Sequence, residues 1–68
     1  MRIRLAGELR EFDEAHSINA FLSLINIDAT KNGIAIARNG VVIPKAKWQT
    51  EPLADGDSIE IVRASQGG

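Results

Sequence analysis

The chain contains no cysteine, so disulfides, thiolate metal sites and cysteine nucleophiles are all excluded. That absence is compatible with a reducing compartment. Histidine occurs once, at position 16, with Asp13 and Glu14 close by. No further ligand or nucleophile stands at a recognised metal or catalytic spacing from it, so it reads as a solvated loop histidine. Charge of one sign is also lacking: nine acidic and eight basic residues leave a formal charge of −1, which argues against nucleic acid as a partner. No apolar run approaches the roughly 18 residues needed to cross a bilayer. Met1-Arg2-Ile3-Arg4-Leu5 enters a strand pattern at once, without an apolar leader or cleavage site. A cytoplasmic soluble domain, monomeric when free, is expected.

What is present suffices for one small core. A domain of about 60 residues buries only about 60% of the surface its unfolded chain exposes. With 68 residues and 44% hydrophobic content, mostly Ile, Leu, Val and Ala, this chain must hold together by packing alone.

Residues 2–6 alternate with period two and read as a strand with one solvated face. Gly7-Glu8 is the expected break, with glycine first as a type II′ hairpin turn requires, and residues 9–12 form a second short run. Ser17 stands as a helix N-cap before Ile18, Phe21, Leu22 and Ile25, spaced i, i+3, i+4, i+7. That is one apolar face of a helix about ten residues long. Residues 28–33 read as a surface loop. Residues 34–38 and 41–43 are two more strands, joined by Asn39-Gly40, the strongest short-range hairpin signal. Pro44 ends the fourth strand because it cannot donate to a ladder. Residues 54–57 form a tight turn, residues 58–63 the last strand, and residues 65–68 a flexible tail beyond a domain of residues 1–64.

One helix with one apolar stripe covers one face of one sheet, giving a two-layer α+β domain with four or five strands. The passage from strand two through the helix to strand three supports a mixed sheet, right-handed if those strands are parallel. Hairpin, helix, hairpin and closing strand fit a β-grasp. Parity sends Ile3, Leu5, Ile59 and Ile61 toward the helix with Phe21, Leu22 and Ile25, and leaves Arg2, Arg4, Glu60 and Val62 on the open face. Ile34 and Ile36 are the expected core pair of strand three, with Ala35 and Ala37 opposite.

Few side chains offer chemistry. Asp55-Gly56-Asp57 lacks the rest of a calcium loop and is ordinary turn chemistry. Trp48 could anchor a partner, but the area of its ring favours a core-edge position. Arg2, Arg4 and Arg10, and separately Lys45 and Lys47, are interspersed with acids and read as a mixed surface. No acid–base pair, phosphate loop or metal cluster emerges. There remains the closing Gly67-Gly68. Without Cβ atoms, these residues make a thread that a narrow site on a second protein can admit. Taken alone, the dipeptide reads first as what a fraying chain end offers.

The whole chain resembles the ThiS family, the sulfur carrier proteins of thiamine biosynthesis, which are ubiquitin-like β-grasp domains. The resemblance is carried by Met1-Arg2-Ile3, Ser17-Ile18-Asn19-Ala20-Phe21-Leu22 and residues 35–45 with their Asn39-Gly40 turn. Trp48, residues 53–61 and Gly67-Gly68 complete it. Two positions depart or say little: Arg38 stands where relatives more often carry an apolar residue, and Gln66 is not diagnostic.

The resemblance implies a protein cosubstrate without its own active site. An E1-like adenylyltransferase, using Mg-ATP, would adenylate the Gly68 carboxylate, with Gly67 supplying slack. Sulfur from a cysteine desulfurase or another donor would convert it to a thiocarboxylate for thiazole synthase. The chain itself would hold no stable cofactor and no metal. The same features admit two alternatives: the small subunit of molybdopterin synthase, with the same chemistry and another acceptor, and a non-covalent β-grasp binding module.

Overall fold

The computed structural model describes residues 1–63. The expected tail, residues 65–68 with Gly67 and Gly68, and the domain boundary at 64 lie outside the described residues. Strands β1 (Arg2–Leu5) and β2 (Glu8–Glu11) form a hairpin, followed by helix α1 (Ile18–Leu24). A second hairpin, β3 (Ile34–Arg38) and β4 (Val41–Ile43), leads through a short 3₁₀ turn, Lys45–Lys47, to β5 (Ser58–Arg63). These strands make one mixed five-stranded sheet in the order β2-β1-β5-β3-β4. With one helix packed across one face, this is the β-grasp arrangement that the alternation of apolar residues anticipated.

The first hairpin turn differs from its expectation. Leu5 faces Glu8, so the two loop residues are Ala6-Gly7 rather than Gly7-Glu8. Both have positive φ, 53° and 79°, which is the signature of a type I′ rather than a type II′ turn. Alanine accepts that cost because a two-residue primed turn matches the twist of the flanking strands. At Asn39-Gly40 the same geometry appears as expected, with φ of 51° and 84°.

The helix is seven residues, shorter than its apolar stripe suggested. Ser17 caps its start, accepting from the Ala20 N–H at 3.1 Å, and the Asn19 N–H donates to the Trp48 carbonyl at 3.1 Å. The end is set by Asn26, whose φ of 60° turns the chain out of the helix. Ile27 N–H then donates to Leu22 O and Asn26 N–H to Ser23 O, a Schellman closure that occupies the last carbonyls.

The strand-two-to-three crossover does not join neighbours. The parallel pair is instead β1 with β5, the two strands farthest apart in the chain. The core comprises Ile3, Ala15, Ile18, Phe21, Leu22, Ile36, Ile43, Trp48 and Ile59. Phe12 meets Phe21 edge to face, with ring centroids 5.0 Å apart. Trp48 is buried and donates its indole N–H to the Ile43 carbonyl at 2.9 Å, so it is a core residue and no surface anchor.

Candidate functional site

The strand that leads toward Gly67-Gly68 is β5, and it is the middle strand of the sheet. Its start is fixed by a charged cluster. Asp57 is buried and accepts from Arg38 Nε at 2.7 Å, Asn39 Nδ2 at 3.0 Å and the Ala54 N–H at 2.7 Å. Arg38 also donates to Glu51 at 3.2 Å. Burial alone pushes the Asp57 carboxyl up, but bonds from Arg38, Asn39 and Ala54 outweigh it and hold the group below the usual carboxylate range. The bond to Asp57 raises the Arg38 guanidinium in return. Asn39 serves the same joint twice more, donating its N–H to Ser58 O and accepting the Ser58 N–H on Oδ1. The polar Arg38 is thus explained: it ties the second hairpin to the turn before β5.

Asp55 has a separate partner. It accepts from the Arg2 backbone N–H and side chain, which lower its pKa, while Gly56 N–H donates to Arg2 O. The turn at 54–57 is therefore a turn, as expected, whose two carboxylates reach opposite neighbours. His16 is exposed, and Ser17 is occupied by capping. Among the described residues, no group of acids and histidines is placed to hold a metal ion.

Two surfaces flank the path along β5. The first is the sheet face away from the helix. Register places Ala35 opposite Val62, and Ala37 opposite both Glu60 and Val42. Val42 and Val62 are 66% and 59% exposed, and the small alanines between them leave a shallow apolar patch. Arg2, Arg4, Glu60 and Val62 all lie on this open face, as parity indicated. Sequence reasoning had not singled out Val42, although its alternation with Ile43 carried the signal.

The second surface is an open groove of about 770 Å³ on the helix side, beside the end of β5. Its apolar lining includes Leu5, Phe12, Leu24, Ile25, Ile27 and Ile61. Nothing in the linear sequence marked it, because it is assembled from both ends of the chain and the helix terminus.

Comparisons with known proteins agree with this geometry. The model of the ThiS family matches residues 3–68. A crystal structure of the thiamine biosynthesis protein ThiS from Geobacter metallireducens superposes with a TM-score of 0.82 at 23% identity, covering 100% of both chains. A solution structure of a thiamine biosynthesis protein from the same organism gives 0.79 at 21% identity, covering 100% of this chain and 88% of that one. At these identities the likeness establishes the fold. A thiazole synthase from Paramagnetospirillum magneticum is 32% identical over 68 residues, all of this chain but only 20% of that protein's length. Among the described residues, no helix is long and apolar enough to cross a membrane.

Proposed function

The chain belongs to the ThiS family, and from that premise we propose that it is a protein cosubstrate carrying sulfur on Gly68 for thiazole formation. The observation that carries the reading is the family match, which runs through the fold and on to Gly67-Gly68. A free α-carboxyl titrates at about 3.3–3.7 and is ionised at neutral pH, so its oxygen is a competent nucleophile. An E1-like enzyme with Mg-ATP supplies the electrophile. The carboxylate oxygen bonds to the α-phosphorus and pyrophosphate leaves. The terminal sulfur of a persulfide donor then displaces AMP from the acyl carbon to give an acyl disulfide. A second thiol on the partner attacks the donor's own sulfur, breaking the S–S bond to release the thiocarboxylate and leave a disulfide on the partner.

Thiazole synthase is the proposed acceptor, in preference to the molybdopterin branch. The family match and the name of the Paramagnetospirillum relative support that choice. The Val42–Ala37 and Val62–Ala35 patch is the proposed docking face, with β5 directing the following residues into the partner's site.

The test is intact-mass spectrometry after incubation with the E1-like enzyme, Mg-ATP and a sulfur source. The expected result is the mass gain of one oxygen replaced by sulfur, lost when Gly68 is deleted. No gain with an enzyme shown to be competent on another carrier overturns the proposal.

A further inference from the structure

We propose that the outer edge of β5, with the groove beside it, binds an extended partner segment of alternating apolar and acidic residues as an added strand.

The proposal begins with unequal pairing on the two sides of β5. Strand β3 accompanies it as far as Arg63, through Ile34. On the other side β1 accompanies it only to Ile59, through Leu5, because the chain there turns away at Ala6-Gly7. Beyond Ile59, no described residue pairs with this edge. Asn39 N–H donates to Ser58 O, which sets the phase of the β3–β5 ladder. Alternation then aims the backbone groups of Glu60 and Val62 at β3 and those of Ile61 and Arg63 outward. An exposed row of such groups is a template for another strand.

The space beside this edge is shaped for side chains. Leu5, Phe12, Leu24, Ile25 and Ile27 make the apolar walls of the groove, and Ile61 lies on the same side as the core. A strand laid on the edge would send every second side chain into these walls, the pattern by which strand addition acquires specificity.

Charge selects the occupant. Arg10 pairs in register with Ile3, and Arg63 with Ile34, so both arginines rise on the groove side. Glu60 also lines the groove, but its register with Ala37 turns its side chain toward the opposite face. Arg10 lies over the Phe12 ring at 5.4 Å, and neither arginine forms an ion pair among the described residues. A second copy docked edge to edge about a two-fold axis would bring these like charges together. An acidic segment satisfies them. The inference does not rest on the chemistry proposed for Gly68.

The probe is a short capped peptide alternating valine and glutamate, titrated into the full chain while amide exchange is followed by NMR. The expected result is slowed exchange at Ile61 and Arg63. A peptide with lysine in place of glutamate should bind at least about tenfold more weakly, since like charges across an interface oppose docking. The double variant Arg10→Glu, Arg63→Glu should reverse that preference, with an unchanged Trp48 emission showing that it folds. Equal binding of both peptides, or no protection at Ile61 and Arg63, overturns the proposal. Protection that grows with protein concentration alone would assign the edge to a second copy and also overturn it. Protection without peptide that vanishes on deleting residues 64–68 would assign the edge to the chain's own terminus, with the same consequence.

Discussion

Replacing Asp57 by alanine should remove a large part of the stability of this domain. The carboxylate accepts three hydrogen bonds, and one comes from a guanidinium whose side chain is only 24% exposed. A bond to a charged group contributes about 1.5–3 kcal/mol, and the two neutral donors add about half a kcal/mol each because water can reach exposed Asn39 and Ala54 once the carboxylate is gone. The sum is about 2.5–4 kcal/mol. A chain of 68 residues has roughly 3–10 kcal/mol in total. Urea unfolding followed by the fluorescence of Trp48, which is the sole tryptophan and buried, measures this directly. With a slope near 1 kcal/mol per molar for so small a domain, the midpoint should fall by about 2.5–4 M. A cycle with Arg38→Ala should show coupling above about 1 kcal/mol, since the two side chains touch. The pH arm has a fixed sign. The folded-state pKa of Asp57 is depressed, so its contribution is fully present above the unfolded value of about 3.9 and is lost as pH falls through the lower folded value. The gap between wild type and Asp57→Asn should therefore close on acidification below about pH 4. A loss under about 0.5 kcal/mol, typical of an unremarkable surface change, together with zero coupling, would refute the reasoning.

Two further outcomes follow from other parts of the fold. Val62→Asp and Val42→Asp lie on the exposed patch and should each change stability by less than about 0.5 kcal/mol, measured by the same urea assay. In titrations against the E1-like enzyme, each should weaken docking at least about tenfold, since a desolvated charge at an apolar contact costs more than 1.4 kcal/mol. Asn26→Gly should be neutral or slightly stabilising, whereas Asn26→Ala should cost about 1–2 kcal/mol in thermal melts, because position 26 has φ of 60°.

Much of this architecture was legible because its causes are local. Ser17 announced the helix through its own hydroxyl, and Asn39-Gly40 announced a hairpin because both residues accept positive φ. Parity separated Ile3, Ile36 and Ile59 from Arg4, Ala35 and Val62 before any pairing was known. The failures also have physical reasons. Ala6 adopts a positive φ that alanine disfavours in isolation, so the first turn was placed one residue late. The helix stopped early because Asn26 turned into the left-handed region, which composition does not dictate. Arg38 and Asp57 lie 19 residues apart, and no spacing rule joins them. The groove arises because β1 ends beside Ile59 while β5 continues, a fact of register between opposite ends of the chain. The roles expected of Gly67 and Gly68 came from the resemblance to the family, and both residues lie outside the described residues.

The adjacency of β1 and β5 also bears on synthesis. A ribosome releases the chain from its N-terminus, so β2, β1, β3 and β4 are available before the strand that belongs between them. Until β5 arrives, the sheet has no centre, and the two hairpins have no shared ladder to join them. Closing it requires pairing residues more than fifty positions apart, such as Leu5 with Ile59, the kind of non-local contact that slows folding. Folding is thereby coupled to the release of β5. A chain cut short before β5 cannot close its sheet.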